Sequence, residues 1–263
     1  MFNDLLVILC MADLLVILSN LILSSRTMLP QNTILSIICS VSDGLCHVAI
    51  SVSVFMTITI TIERYFAISS PFTYQIKLTR RGYWKSISYY VLPVITASVI
   101  FNLPKVLHIG RLLSAMSSYH EKNYIKAGII YQIFHPLLTT CILPIFILSI
   151  LNYKVIKISK QRLSSFTRTA FEVKMAMIMM TIVILFIMWN TPRISLSLYE
   201  VSTIPHVLEC YDRQCQYNIS SKRWLLDSII RYLVMLNSSI KFIIYCFMGS
   251  NFRRTLKNLI GIE

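Results

Sequence analysis

Six apolar runs, each long enough to cross a lipid bilayer, constrain the fold of this chain more than any other feature. The runs cover residues 5–25, 34–62, 87–107, 129–151, 173–198 and 225–248. A transmembrane α-helix needs about 20 predominantly apolar residues to cross the hydrocarbon core. Backbone polar groups in lipid must bond within their own segment, which favours helices over other structures. We therefore predict an all-α fold, a polytopic transmembrane helical bundle, in which residues 1–263 form one domain.

Basic residues indicate how the bundle is oriented. The chain carries 25 Lys and Arg against 11 Asp and Glu, a formal net charge of +14. Fourteen of the 25 basic residues fall within 64–85, 154–174 and 253–257, which six spans place on one side of the membrane. The positive-inside rule makes that side cytoplasmic. Because the charge follows topology, we interpret it as an orientation signal and an attraction to anionic lipid, and expect no nucleic-acid partner.

Three features outside the apolar runs give further expectations once this orientation is adopted. The loop between the fifth and sixth runs holds the sequon Asn218-Ile-Ser220, which is a glycosylation candidate because it is predicted to lie on the lumenal side. Cys210 and Cys215 share that exterior loop and are candidates for a local disulfide. Residues 250–260 place apolar side chains at helical spacing opposite basic ones, which predicts a short amphipathic helix at the cytoplasmic interface.

The passage "TITIERYFAISSPF" closes the second run at its cytoplasmic end. It contains Glu63-Arg64-Tyr65, and Pro71 follows Arg64 by seven residues, with Phe72 next. At this point the chain resembles the rhodopsin-like (class A) G-protein-coupled receptors, whose third helix ends in an acidic-Arg-Tyr triplet with a proline at this spacing. The alternative interpretation is an ordinary cluster of charges at a membrane interface.

Other positions fit the same family. Asp13 in "LCMADLL" matches the aspartate of the family's second helix, and Cys39 lies where a disulfide cysteine begins the third. Pro144, Pro192 and Tyr245 match residues of the fifth, sixth and seventh helices. The phrases "WNTPR" and "NSSIKFIIYCF" are similar to those of invertebrate FMRFamide-type neuropeptide receptors.

The chain also departs from the family pattern. It opens at the family's second helix, so we expect the first helix to be missing from this sequence. The loop that usually supplies the disulfide partner of Cys39 has no cysteine. Lys241 stands where the family carries Asn or Asp.

That lysine lies in a polar pocket that, by resemblance, binds sodium in family members. The matching positions are Asp13, Ser53, Asn237, Ser238 and Lys241. An unpaired charge at bilayer depth costs about 2.5–3.5 kcal/mol on insertion scales. Our hypothesis is that the Lys241 ammonium pairs with Asp13 and occupies the space of a sodium ion. The alternative is that Lys241 extends along its helix to a headgroup.

The resemblance also implies a cytoplasmic activation switch. Its residues would be Glu63, Arg64, Tyr65, Pro71, Phe72, Glu172 and Tyr245. Arg64 is expected to contact Glu63 locally and Glu172 across helices, an ion pair that holds the inactive state in the family. The alternative is that these charges are simply solvated at the interface.

The ligand side carries fewer constraints. The candidate ligand-binding residues are Asp43, His47, Arg193, Tyr199, Asp227 and Arg231. Asp43 and His47 share a helix face at i, i+4. A peptide ending in Arg-Phe-amide would need an acidic partner and an aromatic-lined cleft, whereas Cys46 stands where amine receptors carry aspartate. Asp227 and Arg231 have the same i, i+4 spacing. The alternative for each of the two pairs is a local salt bridge without a ligand.

Taken together, the residues and the resemblance predict a multi-pass plasma-membrane receptor for an extracellular neuropeptide. Its partners would be that peptide, a heterotrimeric G protein and the lipid bilayer; we expect no cofactor, no metal site and no enzymatic activity. One alternative is a truncated, non-signalling receptor product. Another is a six-span transporter that uses Asp13 and Lys241 as substrate or proton groups, although the sequence has no internal repeat.

Overall fold

The computed structural model of the chain describes residues 2–25, 33–113, 131, 134–135, 137–161, 169–212 and 221–248. Within these residues the chain is helical and contains no β-strand, which confirms the all-α prediction. The helices are α1 (Phe2–Ser25), α2 (Thr33–Ser69), α3 (Pro71–Arg81), α4 (Tyr83–Leu113), α5 (Leu143–Gln161), α6 (Thr169–Asp212) and α7 (Ser221–Met248). A π-helical turn, Leu137–Ile142, leads into α5.

Four stretches of the described chain are long and apolar enough to cross a membrane. They are Asn3–Ser25, Thr33–Ser69, Trp84–Leu103 and Leu137–Ile158. These correspond to the first four predicted runs. Helices α6 and α7 enclose the fifth and sixth runs, whose spanning of the bilayer stays a prediction. The predicted amphipathic helix at 250–260 lies outside the described residues.

Most helices extend beyond the apolar runs that predicted them. Helix α2 continues to Ser69, past the predicted end at 62, and α6 continues to Asp212, past the predicted end at 198. Hydropathy marks only the part of a helix that lies in hydrocarbon, whereas the backbone hydrogen bonds of a helix also form in water. Run boundaries therefore underestimate helix length where polar residues follow.

The apolar runs do not predict helix α3, because residues 64–85 stand out in the sequence only as a basic region between two runs. It begins with Pro71 in its first turn, where the missing N–H of proline costs nothing. It ends at Gly82, whose φ of 75° stops the helix before α4 begins at Tyr83. An eleven-residue polar helix carries no hydropathy signal, so only its proline and glycine boundaries could have indicated it.

Helix α2 lies at the centre of the bundle. It packs against α1, α4 and α5, while α6 packs between α5 and α7, and α7 returns to α1. Contacts thus run from α1 through α2, α5, α6 and α7 back to α1, while α4 packs mainly against α2 and also touches α1. Two apolar clusters hold α2 in place. The first joins Leu5, Leu9, Met56, Ile60 and Val94. The second joins Val54, Ile58, Leu148, Val183 and Phe186.

Buried polar side chains add directional contacts between the helices. The Asn102 amide of α4 donates to the Ser51 hydroxyl of α2 at 2.9 Å. The Asn20 amide of α1 donates to the Cys46 sulfur of α2 at 3.2 Å. Cys39, which lies at the position of the family's disulfide cysteine, is buried and is a free cysteine. Because a lone polar group in lipid is costly, these contacts fix the rotation of α1 and α4 about α2.

Candidate functional site

Three helices meet at a buried charged cluster formed by Asp13 of α1, Ser53 of α2 and Lys241 of α7. The Lys241 Nζ lies 3.3 Å from Asp13 Oδ1 and 2.8 Å from Ser53 Oγ. The Ser53 hydroxyl donates to the same Asp13 Oδ1 at 2.7 Å. Each of the three residues is at most 3% exposed. Asp13 and Lys241 therefore form an ion pair inside the bundle, with the Ser53 hydroxyl bridging the two charges.

Helical periodicity places each member of the cluster on a buried face. Asp13 follows Leu9 by four residues on α1, and Leu9 belongs to the first apolar cluster. Lys241 follows Ser238 by three residues on α7, and both are buried. Residues three and four apart share a helix face. Asp13 and Lys241 therefore lie on the buried faces of their helices. The alternative in which Lys241 extends to a headgroup does not match this placement.

The remaining two residues predicted for the polar pocket lie beside Lys241 on α7. Ser238 is buried and Asn237 is half-buried. Within the part of the chain that the structure describes, no group of three His, Cys, Asp or Glu side chains is arranged to hold a metal ion.

A second charged cluster lies near the C-terminal end of α2, the end predicted to face the cytoplasm. Glu63 is only 1% exposed, and its Oε2 lies 3.2 Å from Arg64 Nε. The other carboxylate oxygen, Oε1, accepts a hydrogen bond from the Tyr74 hydroxyl of α3. Burial and the adjacent Glu63 carboxylate raise the pKa of Tyr74 well above its ordinary value. The phenol therefore remains a protonated donor at physiological pH.

Sequence reasoning found Glu63 and Arg64 but missed Tyr74. A helix that begins at Pro71 places Tyr74 and Leu78 on one face, and both are partly buried. The spacing of Tyr74 and Leu78 is the signal that the sequence offers, but it indicates a shared face only where a helix is expected. On the opposite face, Phe72 is 76% exposed.

For two other residues of the predicted switch, the structure describes the helix but not the side chain. These are Glu172 of α6 and Tyr245 of α7. The contact expected between Arg64 and Glu172 thus stays a prediction. Tyr65 is half-buried and packs edge-on against Phe66, with ring centroids 5.6 Å apart.

The candidate ligand residues are described in part. His47 Nε2 lies 3.8 Å from Asp43 Oδ2, so these two side chains meet as their spacing suggested. Tyr199 and Arg231 are exposed on α6 and α7. The side chains of Arg193, Asp227 and Cys210 lie outside the described part, as do the whole residues Cys215 and Asn218.

Comparison with known proteins identifies the class to which this bundle belongs. Residues 1–245 match the sequence model of the 7 transmembrane receptor (rhodopsin family). The chain belongs to this family, a family of multi-pass membrane receptors and not of enzymes, which confirms the resemblance in its motifs.

Within the family, the chain is similar to the FMRFamide receptor of Drosophila melanogaster. The two are 27% identical over 231 residues, which cover 79% of this chain. The same match covers 37% of the relative, so the chain corresponds to well under half of that protein's length.

Proposed function

We propose that this chain is a neuropeptide receptor of the plasma membrane that activates a heterotrimeric G protein through Glu63-Arg64-Tyr65. Its membership of the rhodopsin family and its similarity to a protein named as an FMRFamide receptor support this proposal. The observation that carries it is the contact between buried Glu63 and largely buried Arg64 near the C-terminal end of α2, which the proposal assigns to the cytoplasmic side.

In the proposed mechanism, Arg64 has two alternative positions. While Glu63 holds it, the guanidinium is largely buried, with its side chain 19% exposed. Once released, its fixed fork of N–H donors can bond the carbonyls at the end of a partner's helix, where the helix dipole favours a cation. In the proposed mechanism, Glu172 on α6 adds a second restraint on Arg64, and movement of α6 removes it. Such helix shifts are a common form of switching.

The other end of α2, which is predicted to face the ligand, carries an acidic residue that can bind a cationic peptide. Asp43 lies on α2 toward the opposite end from Arg64, and its side chain is 39% exposed. We propose that it receives the arginine of an Arg-Phe-amide peptide, because a carboxylate can bind a guanidinium by two parallel hydrogen bonds. His47, 3.8 Å away on the next turn, would orient the carboxylate.

The proposal is tested by expressing the chain in cells with biosensors for several G-protein classes and applying FMRFamide. The amidated peptide should activate at least one sensor, and the same peptide as a free acid should be much weaker. Arg64→Ala should abolish activation at equal surface expression, whereas Lys85→Ala, which removes an exposed charge from the same membrane face, should not.

Two further variants test the restraint on Arg64 and the contact of Asp43 with the peptide separately. Glu172→Ala should raise activation without peptide, because it removes one restraint on Arg64. Asp43→Asn should weaken the response to FMRFamide more than the response to a peptide whose arginine is replaced by citrulline. Surface-expressed receptor that activates no G protein with any Arg-Phe-amide peptide would contradict the proposal.

A further inference from the structure

The rhodopsin family implies a sodium ion in the pocket around Asp13, and the atoms of that pocket show whether one fits. A sodium ion requires free oxygen lone pairs. Asp13 Oδ1 already accepts from Ser53 Oγ at 2.7 Å and lies 3.3 Å from Lys241 Nζ. Ser53 Oγ uses its own proton for Asp13 and accepts from Lys241 Nζ at 2.8 Å. Both of these oxygens already have donors, so a sodium ion could bind them only by displacing the Lys241 ammonium. The residues at this site therefore do not fit a sodium ion while the ammonium is in place.

The charge balance leads to the same result. Asp13 and Lys241 are both almost fully buried and together carry no net charge. A metal cation bound to Asp13 would lie beside the ammonium, and like charges repel strongly where little water screens them. The pocket thus offers no uncompensated negative charge to a second cation.

We propose that Lys241 is a built-in counter-ion that takes the place of sodium, so that sodium has no specific effect on this protein. The ammonium joins α1, α2 and α7 through Asp13 and Ser53 without any ion from solution. This inference goes beyond the proposed receptor function, since it depends on neither a peptide nor a G protein.

The test is the thermal unfolding of the purified full chain in lipid nanodiscs, followed by tryptophan fluorescence. Samples in sodium chloride and in potassium chloride are compared at equal ionic strength, about 0.15 M. The unmodified chain should have the same Tm in both salts. A Tm that rises specifically with sodium in the unmodified chain would overturn the proposal.

The Lys241→Asn variant is expected to gain the response to sodium that the unmodified chain lacks. This change removes the ammonium, adds an amide oxygen and leaves Asp13 and Ser53 in place. Its Tm should rise by several degrees with sodium in a saturable manner and not with potassium, as expected for a ligand that binds only the folded state. The sodium response should vanish when Asp13→Asn is added. Lys85→Asn, the same substitution at an exposed lysine, should gain no sodium response. A folded Lys241→Asn protein without any sodium response would overturn the proposal.

If Lys241→Asn does not accumulate, the charges can be exchanged instead. The double variant Asp13→Lys/Lys241→Asp keeps one acid and one base in the pocket. It should be more stable than the single Asp13→Lys variant and indifferent to the choice of salt. An exchanged variant that is no more stable than the single variant would also overturn the proposal.

Discussion

Glu63 is a carboxylate removed from water that has two partners of different origin. Arg64 is its neighbour in sequence, and the contact between them follows from the motif alone. Tyr74 reaches it from a separate helix, and nothing in the motif indicates that contact. A buried carboxylate needs several donors, because each unsatisfied oxygen carries a desolvation cost. The phenol of Tyr74 therefore fastens α3 to the end of α2.

The Tyr74→Phe variant should be less stable than the unmodified chain. Removing a hydrogen bond to a charged group costs about 1.5–3 kcal/mol. The pKa of Tyr74 is raised, so its contribution is present below the ordinary tyrosine value and is lost as pH rises through the folded value. The deficit of the variant should therefore stay constant from neutral pH to about 10. Thermal unfolding at several pH values measures it.

Tyr153→Phe provides the control for this prediction, because Tyr153 is 67% exposed on α5. It should leave the Tm unchanged. Equal losses in the two variants would contradict a specific role for the Tyr74 hydroxyl.

Residues differ in how far the sequence predicts their contacts. Asp13 and Lys241 stand out because charges in apolar runs are rare and costly, and two opposite charges in one bundle are expected to meet. Asn102 and Ser51 also form a contact between helices, but uncharged polar residues are common in such runs, so their pairing could not be chosen from sequence. The higher the cost of leaving a side chain unpaired in the membrane, the more reliably the sequence predicts its contact.

At the scale of the element, α3 depends on its two ends. The Tyr74 amide donates to the Ser70 carbonyl at 2.9 Å, which starts the helix. Gly82 ends it with φ 75° and ψ 157°, a conformation essentially restricted to glycine. Because Tyr83 begins α4 directly afterwards, this single residue sets the angle between the two helices. The long helices were predictable from hydropathy, whereas α3 is defined by backbone geometry at its ends.

Gly82→Ala should therefore destabilise the connection between α3 and α4. A Cβ at this position would meet nothing within 4 Å, so the cost comes from the backbone alone. Holding a residue other than glycine in this region costs about 1–3 kcal/mol. The expected result is a lower Tm in thermal unfolding. Ser70→Ala, at the other end of α3, should be nearly neutral because the Ser70 side chain makes no capping hydrogen bond. A Gly82→Ala variant as stable as Ser70→Ala would contradict this account.

At the scale of the whole molecule, the sequence predicted what crosses the membrane better than how the helices are arranged. Apolar length and the distribution of basic residues gave the helical class and an orientation. They did not indicate that α4 packs mainly against α2 or that a π-helical turn precedes α5. Lipid is as apolar as a leucine side chain, so hydropathy cannot distinguish a helix face that meets lipid from one that meets another helix.

The orientation can be measured directly in intact cells. Asn218 should carry a glycan that is removed by endoglycosidase and absent from Asn218→Gln. A cysteine introduced by Arg80→Cys on α3 should react with an impermeant thiol reagent only after permeabilisation, since α3 is predicted to lie in the cytosol. Glycosylation of Asn218 together with labelling of Arg80→Cys in intact cells would contradict the orientation.

The ion pair between Asp13 and Lys241 also has a consequence for biosynthesis. Its two members are 228 positions apart in the chain, so the ribosome delivers the acid long before the base. Until α7 is made, the Ser53 hydroxyl of α2 is the member of the cluster that can donate a hydrogen bond to the Asp13 carboxylate. Nascent chains that stop before α7 would therefore carry Asp13 in the membrane without the basic residue that compensates its charge in the finished molecule.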